Sequence, residues 1–112
     1  NFSAQDITEA KTLLTDQALP PFVMVDCSHA NSGKDAEKQP AVAGALAEQI
    51  ASGETAIAAA MLESHLVGGN QSLDTEPLVY GRSITDACLA WEKTVPVLDQ
   101  LATAVRTRRA SA

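Results

Sequence analysis

Cysteine is scarce in this sequence: Cys27 and Cys88 are the only two, and neither belongs to a C-x-x-C pair. That excludes a disulfide framework and argues against cysteine-based zinc or redox chemistry, leaving two reduced thiols expected to be buried. Positive charge is also short. Eight Lys and Arg face fourteen Asp and Glu, for a net charge of −6 and a pI near 4.7. Binding a nucleic acid requires a basic face that displaces counterions, so no nucleic-acid partner is expected. The one basic cluster, Arg106, Arg108 and Arg109, closes the chain, where cations favour the negative pole of a helix. Long apolar runs are missing as well. The longest, residues 56–62, is far below the roughly 20 residues of a membrane-spanning helix, and no charged leader precedes an apolar segment. A soluble, cytoplasmic protein without a membrane partner is the expectation.

What is present suits one small folded unit. The 112 residues are 46% apolar and 20% charged, which allows a modest core. Ser3 with Asp6 reads as a helix N-cap and its acidic partner. Ile7, Ala10, Leu13 and Leu14 then recur at helical spacing until Leu19-Pro20-Pro21. Phe22-Val23-Met24-Val25 reads as a strand buried on both faces. A polar stretch over residues 28–39 carries Asn31-Ser32-Gly33 as turn chemistry. Residues 35–51, with Val42, Leu46 and Ile50 at four-residue intervals, predict an amphipathic helix with Pro40 near its start. Residues 56–62 predict a second strand. A loop is expected over residues 64–82, followed by helix from about Ser83 to Arg109, interrupted at Pro96.

Strand, helix, strand in this order make a βαβ unit with parallel strands. Two parallel strands alone leave two open edges, whereas parallel sheets normally have neighbours on each side. The chain therefore reads as an incomplete α/β unit, which could be a fragment of a (β/α)8 TIM barrel, a fold of about 250 residues. In such a barrel the chain would supply the last two βα units and the preceding helix, with residues 1–112 forming the C-terminal part of a single domain. The lack of a methionine at Asn1 agrees with a fragment and equally with a processed chain. Unpaired edges predict self-association.

Ligand chemistry in parallel sheets gathers beyond the C-terminal ends of the strands. His29 follows the first strand and Glu63 closes the second. Adjacent strands lie about 4.8 Å apart, so an imidazole and a carboxylate would share one small volume suited to Mn, Fe, Co or Zn. The ordinary alternatives are a hydrogen-bonded loop histidine and a glutamate paired with a cation. Asp86 has its own structural explanation, because Ser83-Ile84-Thr85-Asp86 reads as a capping box. Asp26, Ser28 and His29 contain the residue types of a hydrolase triad but lack a G-x-S-x-G elbow, and the histidine is expected to project away from the other two. Gly68-Gly69-Asn70-Gln71 has neither Walker nor dinucleotide spacing and reads as a turn.

Four strings in register carry a further signal. They are Val25-Asp26-Cys27-Ser28-His29-Ala30-Asn31-Ser32-Gly33-Lys34, Met61-Leu62-Glu63-Ser64-His65-Leu66, Gly69-Asn70-Gln71, and Tyr80-Gly81-Arg82-Ser83-Ile84-Thr85-Asp86-Ala87-Cys88. Together they resemble the closing segments of the type I 3-deoxy-D-arabino-heptulosonate 7-phosphate (DAHP) synthases. The resemblance implies a metal-dependent condensation of phosphoenolpyruvate with erythrose 4-phosphate, releasing phosphate, at the entry to the shikimate pathway. It implies that His29, Glu63 and Asp86 are metal ligands, with His29 and Asp86 also serving catalysis, and that His65, Asp26 and Lys34 are candidates for the surrounding shell. In that family a cysteine ligand and the main phosphate-binding Arg and Lys residues come from segments without a counterpart here, so the fragment alone is expected to be inactive. A related 3-deoxy-octulosonate 8-phosphate synthase and a non-catalytic, barrel-derived interaction module are the competing functions.

Overall fold

The computed structural model describes all of residues 1–112. Its first helix, α1 (Ala4–Asp16), begins as the sequence predicts: the Asp6 amide donates to Ser3 Oγ while the Asp6 carboxylate accepts from the Ser3 amide. These reciprocal bonds satisfy donors that a helix start otherwise leaves open. The helix stops one turn earlier than the proline pair. β1 (Val23–Asp26) then runs parallel to β2 (Ile57–Met61), with Asp26 opposite Met61 at the end of the ladder.

Their connection contains the short helix α2 (His29–Ser32), a 3₁₀ turn (Ala36–Lys38) and α3 (Gln39–Ala51). Two of these lie in the segment expected to be an irregular polar stretch. Asp35 does start helical structure, but by accepting from the Glu37 amide at 3.0 Å and capping the 3₁₀ turn. Pro40 occupies the first turn of α3, where its missing N–H costs no helical bond.

Ile7 of α1, Val25 of β1, Leu46 and Ile50 of α3, and Ile57 of β2 join one core. The fourth helix, α4 (Trp91–Ser111), adds Val97 and Ala104 to it. The expectation of a strand buried on both faces is corrected here. Val25 is buried, but its neighbour Met24 on the opposite face is 67% exposed. The helices contribute their core residues to only one side of the strand pair, and alternating side chains of β1 therefore meet different surroundings.

Two further expectations are overturned beyond β2. The stretch expected to be loop contains β3 (Ser64–His65), which pairs in parallel with β4 (Leu89–Ala90). Helix does not begin at Ser83. It begins at Trp91 and runs without interruption through Pro96. Ser83 Oγ instead accepts from the Thr85 amide at 3.1 Å, a local turn that competes with a helix start. Pro96 removes one main-chain donor near the beginning of a long helix, whose packing through Val97 and Ala104 outweighs that loss. No helix of the chain is long and apolar enough to cross a membrane.

Candidate metal centre

The site is built where the β1–β2 ladder ends. Beyond Asp26 the chain turns sharply: Ser28 N donates to Asp26 Oδ1 at 2.8 Å, Ser28 Oγ lies 2.6 Å from the same oxygen, and Asn31 Nδ2 donates to the Asp26 carbonyl at 2.7 Å. His29 has a φ of +49°, a left-handed conformation that costs a non-glycine residue on the order of 1 kcal/mol. This turn folds the imidazole back over the strand end. Its Nδ1 comes within 2.7 Å of Asp26 Oδ2 and its Nε2 points the other way, 3.4 Å from Glu63 Oε1 and 3.9 Å from Asp86 Oδ2.

The histidine therefore does not project away from Asp26 and Ser28, as its place after the strand suggested. The three residues touch, yet they do not form a nucleophilic triad. Ser28 Oγ lies 2.6 Å from Asp26 Oδ1 and 2.8 Å from His29 Nδ1, but the residue is only 1% exposed and no strand-to-helix elbow presents the hydroxyl to a substrate.

Nitrogen and oxygen donors of His29, Glu63 and Asp86 all lie within 4.8 Å of one another. Two donors held by one ion at about 2.1 Å stand roughly 3.0–3.4 Å apart. The His29–Glu63 pair already meets that spacing. Asp86, whose side chain is 74% exposed, has the freedom to close the remaining distance. The donor set of one imidazole and two carboxylates suits a divalent transition ion, and the residues fit such a group. The three line a cavity of about 290 Å³ together with Lys34, Gln39 and Asn70.

Charge in the cavity is unbalanced. The hydrogen bond that His29 Nδ1 donates to Asp26, reinforced by the charge of Asp26 and of Glu63 and more distantly Asp86, pushes the His29 pKa above its ordinary value. Partial burial pushes the Asp26 carboxyl upward, but bonds from Ser28 and His29 outweigh it and hold the group below the usual carboxylate range. With the imidazole neutral, the carboxylates of Glu63 and Asp86, and of Asp26 behind the ring, outnumber Lys34, the one fixed cation lining the cavity, and that surplus of negative charge favours a metal cation.

Other sequence candidates separate clearly. Asp26 touches His29, and Lys34 lines the cavity. His65 is exposed, and its Nδ1 accepts from the Leu66 amide at 2.8 Å. Gly69 and Asn70 belong to isolated bridges with Cys88 and Ser83, which agrees with a turn. Both cysteines are free, but only Cys27 is buried, and burial raises its pKa to about 11. Cys88 is half-buried. Arg108 does more than face the helix pole, because Nη1 donates to the Glu54 carbonyl at 2.7 Å.

One residue at the site escaped sequence reasoning. Gln39 is 0% exposed and bonds the main chain of Glu63 through both ends of its amide. A signal existed: Gln39 precedes Val42, Ala43, Leu46 and Ile50 on the apolar stripe of α3, so a polar amide stood at a core-facing position.

Residues 1–99 match the DAHP synthetase I family. The chain belongs to that family. It is 54% identical over 110 residues to the Phe-sensitive phospho-2-dehydro-3-deoxyheptonate aldolase of Escherichia coli K12, covering 97% of this chain and 31% of that enzyme. A tyrosine-inhibited phospho-2-dehydro-3-deoxyheptonate aldolase of Schizosaccharomyces pombe is 46% identical over 114 residues, again covering 97% and 31%. The solved structure of phospho-2-dehydro-3-deoxyheptonate aldolase from Francisella tularensis SCHU S4 superposes with a TM-score of 0.93 at 42% identity, over 96% of this chain and 31% of that one. The chain thus spans just under a third of the length of these DAHP synthase relatives, and His29, Glu63 and Asp86 all fall inside the family match.

Proposed function

We propose that this chain is part of a metal-dependent DAHP synthase, which condenses phosphoenolpyruvate with erythrose 4-phosphate and releases inorganic phosphate as the first step of the shikimate pathway. The observation that carries the reading is His29 Nε2, turned toward Glu63 and Asp86 by a strand-end turn in a chain of this family. Residues 1–112 are the C-terminal part of a single TIM-barrel domain, supplying its last two βα units. The parallel β1–β2 pair with an intervening helix supports that placement. The enzyme is cytoplasmic.

In this reading His29 binds the ion through Nε2, while Asp26 holds the proton on Nδ1 and keeps the ring in the required tautomer. Glu63 and Asp86 provide oxygen donors and offset the charge. A bound Mn, Fe, Co or Zn ion would supply Lewis acidity toward the aldehyde oxygen of erythrose 4-phosphate. Lys34 brings a cation into the cavity where anionic substrates enter. His29 and Asp86 border the reacting groups and are the catalytic candidates of this chain. Alone, the segment offers three protein ligands and turns over nothing, and its open strand edges lead it to self-associate.

Glu63→Ala in the complete protein is the direct test. Metal content and synthase turnover should both fall. Unchanged content and turnover would replace this reading with a non-catalytic barrel module, and reaction only with a five-carbon sugar phosphate would replace it with the octulosonate synthesis.

A further inference from the structure

Glu63 sits in a gap between two ladders. The β1–β2 pairing ends at Asp26 and Met61, followed only by Cys27 N donating to the Met61 carbonyl at 2.8 Å. The β3–β4 pairing begins one residue after Glu63, at Ser64. Opposite Glu63 the first strand has already turned away toward His29, so no neighbouring strand meets both main-chain groups of Glu63.

The side chain of Gln39 fills that role. Its Nε2 donates to the Glu63 carbonyl at 2.9 Å, and its Oε1 accepts from the Glu63 amide at 2.7 Å. A primary amide presents one donor and one acceptor side by side, the same pair that a strand offers its neighbour. The Leu89 amide also donates to the Glu63 carbonyl, at 2.9 Å. The Glu63 carboxylate takes no hydrogen bond from Gln39, and its oxygens stay free to face His29.

We infer that Gln39 is a positioning residue for this site: its buried amide clamps the main chain of Glu63 and so sets where that carboxylate meets the His29 imidazole. Three observations support the assignment. Gln39 is fully buried on an otherwise apolar helix stripe. Every hydrogen-bonding group it spends on Glu63 goes to main chain rather than to the reactive carboxylate. And it borders the cavity that His29, Glu63 and Asp86 share. A carboxylate anchored at its own backbone loses less freedom on meeting a cation, which raises affinity without any added contact. The inference rests on the metal-binding reading of these three residues.

The test is cobalt(II) titration of the complete, metal-stripped protein, read by the dissociation constant and the visible absorption bands, beside a thermal melt. Gln39→Met keeps the volume and removes both bonds. It should weaken cobalt binding by about 10- to 100-fold and shift the bands, because Glu63 reaches the ion from an altered position. Gln39→Asn, one methylene shorter, should lie between. A lowered melting temperature with cobalt affinity within twofold and an unchanged spectrum would make Gln39 a structural residue only and overturn the inference. If Gln39→Met fails to fold, Gln39→Asn is judged by the same two readouts. Glu63→Gln separates the two readings: if it binds cobalt as the parent does, the metal reading itself fails, whatever the Gln39 variants do, and this inference falls with it.

Discussion

Asp26 Oδ2 and His29 Nδ1 meet at 2.7 Å, on the edge of the imidazole turned away from Glu63 and Asp86. The consequence is chemical. A ring whose Nδ1 proton is given to a carboxylate must offer a lone pair at Nε2 when neutral, and Nε2 is the atom aimed into the cavity. The strained φ of His29 is what makes this contact possible so soon after the strand ends.

Asp26→Asn separates geometry from tautomer. The Asn oxygen can keep the two bonds from Ser28, while its NH₂ faces Nδ1 and favours a proton on Nε2. Cobalt affinity of the complete protein should fall about 10- to 100-fold. ¹⁵N shifts of the His29 ring should show the Nε2–H tautomer in the metal-free variant; an unchanged tautomer would contradict the assignment.

In metal-free protein the His29 ring proton signals should titrate with a midpoint above the ordinary 6.5, because Asp26 bonds and charge, with Glu63, favour the imidazolium. A raised value means that the stabilising contribution is complete below pH 6.5 and disappears as pH rises through the folded-state value. Proton and metal compete for Nε2, so cobalt affinity should climb over that same interval. A midpoint at or below 6.5 would show that the carboxylates do not act on the ring.

Away from the site, Glu54 ties α1 to the start of β2. It accepts from Lys11 Nζ at 3.1 Å and from the Ala56 amide at 2.7 Å. Burial pushes its carboxyl upward, yet these donors prevail and hold it below 4.5. A lowered value stabilises above pH 4.5 and fails as pH falls through the folded-state value. Glu54→Ala should cost about 1–3 kcal/mol in denaturant unfolding at pH 7, and the loss should shrink in acid.

Leu46, 0% exposed at the centre of the core, tests whether the packing of α3 holds the chain together. Leu46→Ala should lower stability by about 2–5 kcal/mol, whereas Leu46→Met, close in volume, should cost less than about 1.5 kcal/mol. Equal effects in chemical unfolding would mean that the site collapses around the missing atoms.

The sequence by itself determined the elements whose signals are local. Ser3 and Asp6 lie within one helical turn and cap α1 as expected. The stripe through Val42, Leu46 and Ile50 set the buried face of α3, and the apolar runs around Val25 and Ala59 set two parallel strands. Side-chain periods of 3.6 and 2 are properties of short segments, which is why they are legible without a fold. The same locality misled at residues 83–86, where a capping-box pattern closes a turn instead, and at Pro96, which tertiary packing keeps inside α4. No local pattern grouped Asp86 with His29 and Glu63; only the resemblance of four separated strings to a known family did, and tertiary structure decided their spacing, that Asp26 faces one ring nitrogen, and that Gln39 stands in for a missing strand. Those contacts join residues up to 57 positions apart, His29 to Asp86, and depend on strand register and on a loop's path, neither of which is written in any single window of the chain.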